Sequence, residues 1–330
     1  MQPTRLVATI AAASFFVMLQ PVYPQQPAKV PRIGYISGTG NRSDQGPFVE
    51  ALRQGLLKLG YVDGKNLIIE YRGAEGQLDR VPALVSDLVA LKVDILVLPF
   101  PDAIRSAKQI TQTIPIVMVA GIDPVATGLV DSLARPGGNI TGISTLAQDL
   151  NGKRLELLKE VIPKLRRVGI LLDSETPSGI INLKEYETMA RALKIQTQTL
   201  EVPVLKPDLE NAFKTAAKAH VEALITITNP TLYLQQKRLA ELAIKHKLPS
   251  MFQGSTWVES GGLMSYSTDE LGAFRRAAYY VDRILKGTKP ADLPVEQSLK
   301  FEFAINLKTA KQIGLNISPS VLFRADKVIR

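Results

Sequence analysis

The chain contains no cysteine. That absence excludes disulfide frameworks, thiolate zinc and iron–sulfur ligation, cysteine nucleophiles and lipidation of an N-terminal cysteine. Histidine is nearly missing too. His220 and His246 both fall in lysine-rich helical stretches, away from the strand ends where a catalytic base would stand, so no metal site and no Ser-His-Asp arrangement is expected. Aromatics make up 6% of the chain, and its 40 Lys+Arg against 31 Asp+Glu (net charge +9) are scattered. A nucleic-acid face would gather basic residues into a stripe interleaved with aromatics. No nucleic-acid partner is expected, and the excess charge is read as a solvated surface.

Long apolar runs are scarce as well. The run Leu6 to Leu19 has 14 residues, preceded by Arg5 and followed by the Pro/Gln-rich QPVYPQQPAK. It is short for a membrane span and suits the apolar core of a signal peptide. We read residues 1–28 as signal peptide and linker, with removal expected between Gln20 and Ala28 and an extracytoplasmic destination.

What is present is an alternation. From Val30 on, β-branched runs (VPRIGYIS, NLIIEYR, VDILVLPF, IPIVMVA) alternate with amphipathic stretches such as PFVEALRQGLLKL, which sets Phe48, Leu52, Leu56 and Leu59 on one helical face. Strand, crossover helix and parallel strand follow one another. The pattern then repeats with a period of roughly 130 residues: RRVGILLD answers PRIGYIS, HVEALITITNP answers KVDILVLPFP, and GGLMSYS (261–267) answers GGNITGIS (137–144). The fold class expected is α/β, with two similar doubly wound parallel-sheet lobes, a hinge and an inter-lobe cleft. Residues 29–144 with 268–298 form lobe one; residues 145–267 with 299–330 form lobe two. The glycine pairs feed the strands that cross between lobes, so the hinge is placed at Thr141, Gly142, Ser144, Ser267 and Thr268.

Two motifs invite an enzymatic reading. GTGNRS (38–43) spells most of a dinucleotide fingerprint, with Glu70 at the end of the second strand as a ribose partner. The following helix starts only near Pro47, too far for its amides to meet a pyrophosphate. RPGGNITG (135–142) lacks the Lys-Ser/Thr of a phosphate loop. A carboxylate pair, Asp123 with Asp173, is conceivable, although both positions suit turns and caps. A nucleotide-dependent oxidoreductase remains the enzymatic alternative; no catalytic residue is assigned.

Open parallel sheets bind ligands outside the carboxyl ends of their strands. The loops there carry Ser37, Gly38 and Thr39; Phe100 and Pro101; Asp123; Asp173, Thr176 and Ser178; and Asn229. Hydroxyls and helix starts converge on a cleft suited to a carboxylate, with Phe100 or Tyr266 available for apolar packing.

The strings GYISG, ALRQGLLKLGYVDGKNLIIEYR, IPIVMVAGIDPVATGLVDSLARPGGNITGIS, GGLMSY, RRAAYYVDRILKGTKPADLPVEQ and LFRADKVI closely resemble the ABC transporter substrate-binding proteins that include the tryptophan-import type. The resemblance runs over nearly all of residues 30–328. It implies a type I periplasmic binding protein: secreted, non-catalytic, without cofactor, expected as a monomer, and delivering a small amino-acid-like or carboxylate-bearing ligand to an inner-membrane ABC permease. In it Ser37, Thr39 and Ser178 would donate to the ligand carboxylate, Asp123 or Asp173 would take an ammonium, and Phe100 or Tyr266 would pack on the side chain. Ser267 stands where the family usually has glycine. Presentation of the ligand to a receptor, rather than to a permease, is the sensory alternative.

Overall fold

The computed structural model describes residues 29–41, 43–121, 123–145, 150–173, 177–203, 207–298 and 300–330. The expected signal peptide therefore lies outside the described residues.

The first sheet is built from β1 (Arg32–Ser37), β2 (Ile68–Gly73), β3 (Ile95–Leu98), β4 (Ile116–Ala120), β5 (Ile140–Ser144) and the short β11 (Glu296–Gln297), in the order β11-β5-β4-β3-β1-β2, all parallel. The inner strands β1, β3, β4 and β5 are buried on both faces, which is why they read as near-continuous apolar runs, whereas the edge strand β2 alternates buried Ile69 and Tyr71 with half-buried Glu70 and Arg72. Side-chain alternation divides them between two cores. Ile33, Tyr35, Ile95, Val97, Val117 and Val119 pack toward α1 (Gly46–Lys58) and α10 (Glu270–Leu285). Ile36, Leu96, Leu98, Ile116 and Met118 pack toward α2 (Val81–Ala90) and α3 (Pro101–Ile110). On α1 the expected face is present at Leu52 and Leu56, both buried. Leu59 departs from it: the helix ends at Lys58, and as the C-cap residue Leu59 turns to solvent.

The second sheet repeats the plan with β6 (Arg167–Leu172), β7 (Gln196–Glu201), β8 (Ala223–Thr226), β9 (Ser250–Phe252), β10 (Met264–Thr268), β12 (Phe301–Asn306) and β13 (Lys327–Ile329), ordered β13-β12-β10-β9-β8-β6-β7. Its one antiparallel pairing is β10 with β12, in the register Met264↔Ile305 to Thr268↔Phe301. One face packs on α4 (Leu150–Val161) and α5 (Pro177–Ala192), the other on α6 (Leu209–Lys218) and α8 (Gln236–Lys245).

The chain passes between the sheets after β5 into α4, after β10 into α10, and after β11 into β12. The crossings are tied together: the Asp269 amide donates to the Lys300 carbonyl at 2.9 Å, and the Ser298 amide to Ser144 at 3.0 Å. Both glycine pairs turn alike. Gly137 (φ +82°) stands three residues before β5 and Gly261 (φ +106°) three before β10, a backbone region where L side chains are strained. Gly142 within β5 is tighter still: at φ +128°, a Cβ would lie 2.2 Å from the Met118 carbonyl oxygen.

Candidate functional site

Between the carboxyl ends of the two sheets lies a cavity of about 230 Å³. That is below the ~300–1,000 Å³ of pockets for drug-sized ligands, so the space suits a small molecule. Equivalent strand ends supply its two walls. After β1 the lining is Ser37, Gly38 and Thr39; after β6 it is Asp173. After β3 it is Pro99, Phe100 and Pro101; after β8 it is Thr228, Asn229 and Pro230. After β4 it is Gly121 and after β9 Gln253, while Thr145, Ser267 and Thr268 line it from the crossings.

Local chemistry holds these loops in place. The Ser37 hydroxyl oxygen accepts from the amides of Thr39 (3.3 Å) and Gly40 (2.8 Å), closing the turn that follows β1. Asn41 accepts from the amides of Ser43 and Asp44, so α1 begins only at Gly46. The GTGNRS glycines are thus bound in a side-chain-held turn and not at a helix N-terminus, unlike a dinucleotide fingerprint. Phe100 is the N-cap residue of α3, with Pro101 in its first turn. Asn229 has the matching place before α7 (Pro230–Tyr233), where it accepts from the Leu232 amide at 2.7 Å and donates to Asp173 at 2.9 Å.

The structure brings Ser37, Gly38, Thr39, Phe100, Pro101, Asp173 and Asn229 together at the cleft. Two other expected residues lie elsewhere. The Asp123 carboxylate accepts from the amides of Val125 and Ala126, capping its own turn, and lines no part of the cavity. Tyr266 is packed against the core of the second sheet, while Ser267 and Thr268 line the cleft. Its ring stacks on Phe301 (centroids 5.9 Å apart) and meets Phe303 edge-on inside lobe two. Thr176 and the side chain of Ser178 lie outside the described residues.

Several lining residues carried no strand-end signal. Arg154 on α4 is 1% exposed, with Nε donating to the Tyr266 carbonyl at 2.7 Å and Nη1 to Asn151 at 2.8 Å. Its sequence trace is a charge on the apolar i, i+4 stripe Leu150, Arg154, Leu158. Trp257, the chain's single tryptophan, stacks on Phe252 at 4.8 Å and also lines the cleft, on α9 (Ser255–Glu259). Tyr35, Phe48 and Tyr233 extend the aromatic ring around the space. Glu270, in the first turn of α10, faces it as well, and burial pushes its carboxyl up to about 7 against the opposing field of Arg154.

The walls touch across the cleft. The Thr231 hydroxyl donates to the Gly76 carbonyl at 2.8 Å, the rings of Phe48 and Tyr233 stand 6.0 Å apart, and a Cβ on Gly38 would meet Pro230 Cγ at 2.6 Å. Neither histidine lines the cavity: His246 caps α8 against Phe213, and His220 sits in a left-handed turn after α6. Among the described residues no cluster of His, Asp and Glu could hold a metal ion, and no helix is long and apolar enough to cross a membrane.

Comparison with known proteins gives this architecture its family. A curated relative, the tyrosine-binding protein of Clostridioides difficile (strain R20291), is 26% identical over 82% of this chain and 78% of its own. The structure of an ABC domain in complex with L-Trp from Streptococcus pneumonia matches with a TM-score of 0.76 and 27% identity, over 90% of this chain and 100% of that one. A conserved domain protein from Vibrio cholerae O1 biovar eltor str. N16961 matches with a TM-score of 0.79 and 25% identity, over 91% and 100%. The family model for ABC transporter substrate binding proteins matches residues 42–329, and the chain belongs to that family.

Proposed function

We propose that this protein is the extracytoplasmic substrate-binding component of an ABC importer, and that it captures an aromatic amino acid by closing its lobes around it. The observation that carries the reading is the cleft itself: five aromatic side chains (Tyr35, Phe48, Phe100, Tyr233 and Trp257) surround a small cavity that is also lined by the hydroxyls of Ser37 and Thr39 and the carboxylates of Asp102, Asp173 and Glu270. Aromatic rings offer stacking partners for a planar side chain. The ligand carboxylate is taken by the Ser37–Thr39 turn and the first turn of α3, with Ser178 at the start of α5 completing that set. Two relatives point the same way, one named for tyrosine and one solved with L-Trp.

The protein binds without catalysis and needs no cofactor. Lobe one comprises residues 29–144 and 268–298, lobe two 145–267 and 299–330, and they rotate about Thr141, Gly142, Ser144, Ser267 and Thr268. Residues 1–28 direct export, the mature protein acts as a monomer, and its partner is a membrane permease.

Titration calorimetry of the mature protein against L-tyrosine, L-tryptophan, L-phenylalanine and 4-hydroxybenzoate tests the ligand class. A bound amino acid at a hundredfold excess over Kd stabilises the fold by about 2.7 kcal/mol, visible as a thermal shift. Stabilisation by NAD with none by any aromatic amino acid overturns the reading.

A further inference from the structure

Three carboxylates line the cleft, and two are already engaged. Asp102 receives Arg105 Nη2 at 2.5 Å. Asp173, a candidate for an ammonium by its strand-end position, receives the Asn229 amide at 2.9 Å and is 3% exposed. Glu270 has neither a hydrogen bond nor an ion pair among the described residues. Its own helix is capped by Asp269, which accepts from the Gly272 amide at 2.8 Å and also pairs with Lys300 and Arg275. Capping therefore makes no demand on the Glu270 side chain.

The position of this group is equally telling. A Cβ built on Gly254 would stand 3.4 Å from Glu270 Oε2 and 3.6 Å from Trp257 Cδ1, so carboxylate and indole edge lie together against the start of α9. The charged and titratable groups facing it are Arg154 from α4, Glu302 from β12 and Tyr233 from α7. Arg154 is committed to Tyr266 and Asn151, and Glu302 opposes ionisation of Glu270. A half-buried carboxyl lacking a cationic partner of its own is costly to ionise. A ligand cation would supply that partner.

We infer that Glu270 is the residue that recognises the ligand's ammonium group, and that its ionisation makes capture release a proton. The inference rests on the amino-acid reading of the same cleft. The balance is simple: neutral Glu270 carboxyl and ligand ammonium form a carboxylate–ammonium pair, and one proton leaves to solvent. Glu270 is thus a specificity determinant, favouring α-amino acids over their deaminated analogues. With the free carboxyl titrating near 7, the sign follows. Below that pH each binding event must first expel the proton, so affinity falls by about tenfold per pH unit toward pH 5. Above it affinity is flat until the ligand amine itself deprotonates.

The test is calorimetry of the mature protein with L-tyrosine and L-tryptophan from pH 5 to 8, in buffers of different ionisation enthalpy, alongside 3-(4-hydroxyphenyl)propionate. The inference expects a proton released at pH 6, a Kd rising toward low pH, and weak binding of the deaminated analogue. It also expects Glu270→Gln to lose about 100-fold in amino-acid affinity, as removal of a desolvated charge partner does, and to lose the pH dependence. Glu270→Asp should keep the pH dependence with reduced affinity. Tight binding that is pH-independent and releases no proton in the unmodified protein overturns the Glu270 assignment while leaving the proposed function standing. Failure of every aromatic amino acid to bind at pH 8 overturns both.

Discussion

The two lobes share one topology but present different chemistry to the cleft. Lobe one ends its strands in backbone and hydroxyls: Ser37-Gly38-Thr39, Phe100-Pro101 and Gly121. Lobe two supplies Asp173, Asn229, Gln253, the buried Arg154 and the indole of Trp257. Phe100 and Asn229 make the contrast compact. Both are extended N-cap residues before a proline-led helix, at φ −151° and −132°, yet one brings a ring and the other an amide. A duplicated scaffold keeps its buried strands alike because both must pack helices on two faces. Its strand-end loops are free to diverge, and that is where the site sits.

Five substitutions can break or sharpen this contrast. Trp257→Ala should have the largest effect. It removes a ring stacked on Phe252 in lobe two's core and should lower unfolding stability by about 3–5 kcal/mol in urea titration. Phe100→Ala, at 8% exposure on the edge of lobe one's core, should cost less. Equal losses would mean the lobes carry their cleft aromatics in equivalent ways.

Gly38→Ala probes the contact between lobes. Its Cβ would meet Pro230 across the cleft, and overpacking of ~1–3 kcal/mol should weaken ligand affinity by ~5- to 150-fold. The unfolding midpoint of the ligand-free protein should hardly move; a matching loss of stability would place the clash within a lobe. Thr231→Val is milder. It deprives the Gly76 carbonyl of its donor, which should cost about 1 kcal/mol of closure, or about fivefold in Kd. Small-angle scattering should report a more open average shape.

The smallest effect concerns stability and pH. Glu270 titrates near 7 in the fold against an ordinary value of 4.5, so ionisation favours the unfolded chain. The stability associated with its neutral form is complete below pH 4.5 and is lost as pH rises through 7. Ligand-free Glu270→Gln should therefore match the unmodified protein near pH 4.5 and melt higher at pH 8. After discounting for partial exposure the gain is about 1 kcal/mol or less. Identical melting curves at pH 8 would show that the carboxylate is well solvated.

Much of the strand-end lining is legible in the sequence, because β-branched runs mark the strands and the parallel-sheet rule marks their carboxyl ends. Asp123 and Tyr266 show the limit of that logic. Asp123 occupies a strand-end loop but spends its carboxylate on its own turn. Tyr266 is an aromatic beside the cleft, yet its ring packs on Phe301 and Phe303 in the second sheet's core and leaves Ser267 and Thr268 to line the space. Arg154, Trp257 and Glu270 stand on helices, where sequence spacing indicates a face but not what that face meets. Glu270 in particular looks like an ordinary first-turn helix acid beside the Asp269 cap.

By itself, the sequence determined the repeated α/β plan, the paired glycine turns and the places where strand-end loops gather. Each follows from local rules of periodicity, backbone freedom and handed crossover. Only the tertiary structure decided which side chains share the cleft and which of its acids has no partner among the described residues. Those depend on the chain crossing between sheets after β5 and β10, which swings α4 against one sheet and α10 against the other. Arg154 and Glu270, 116 positions apart in the numbering of the chain, face one cavity because of those crossings, and no local pattern encodes such a meeting.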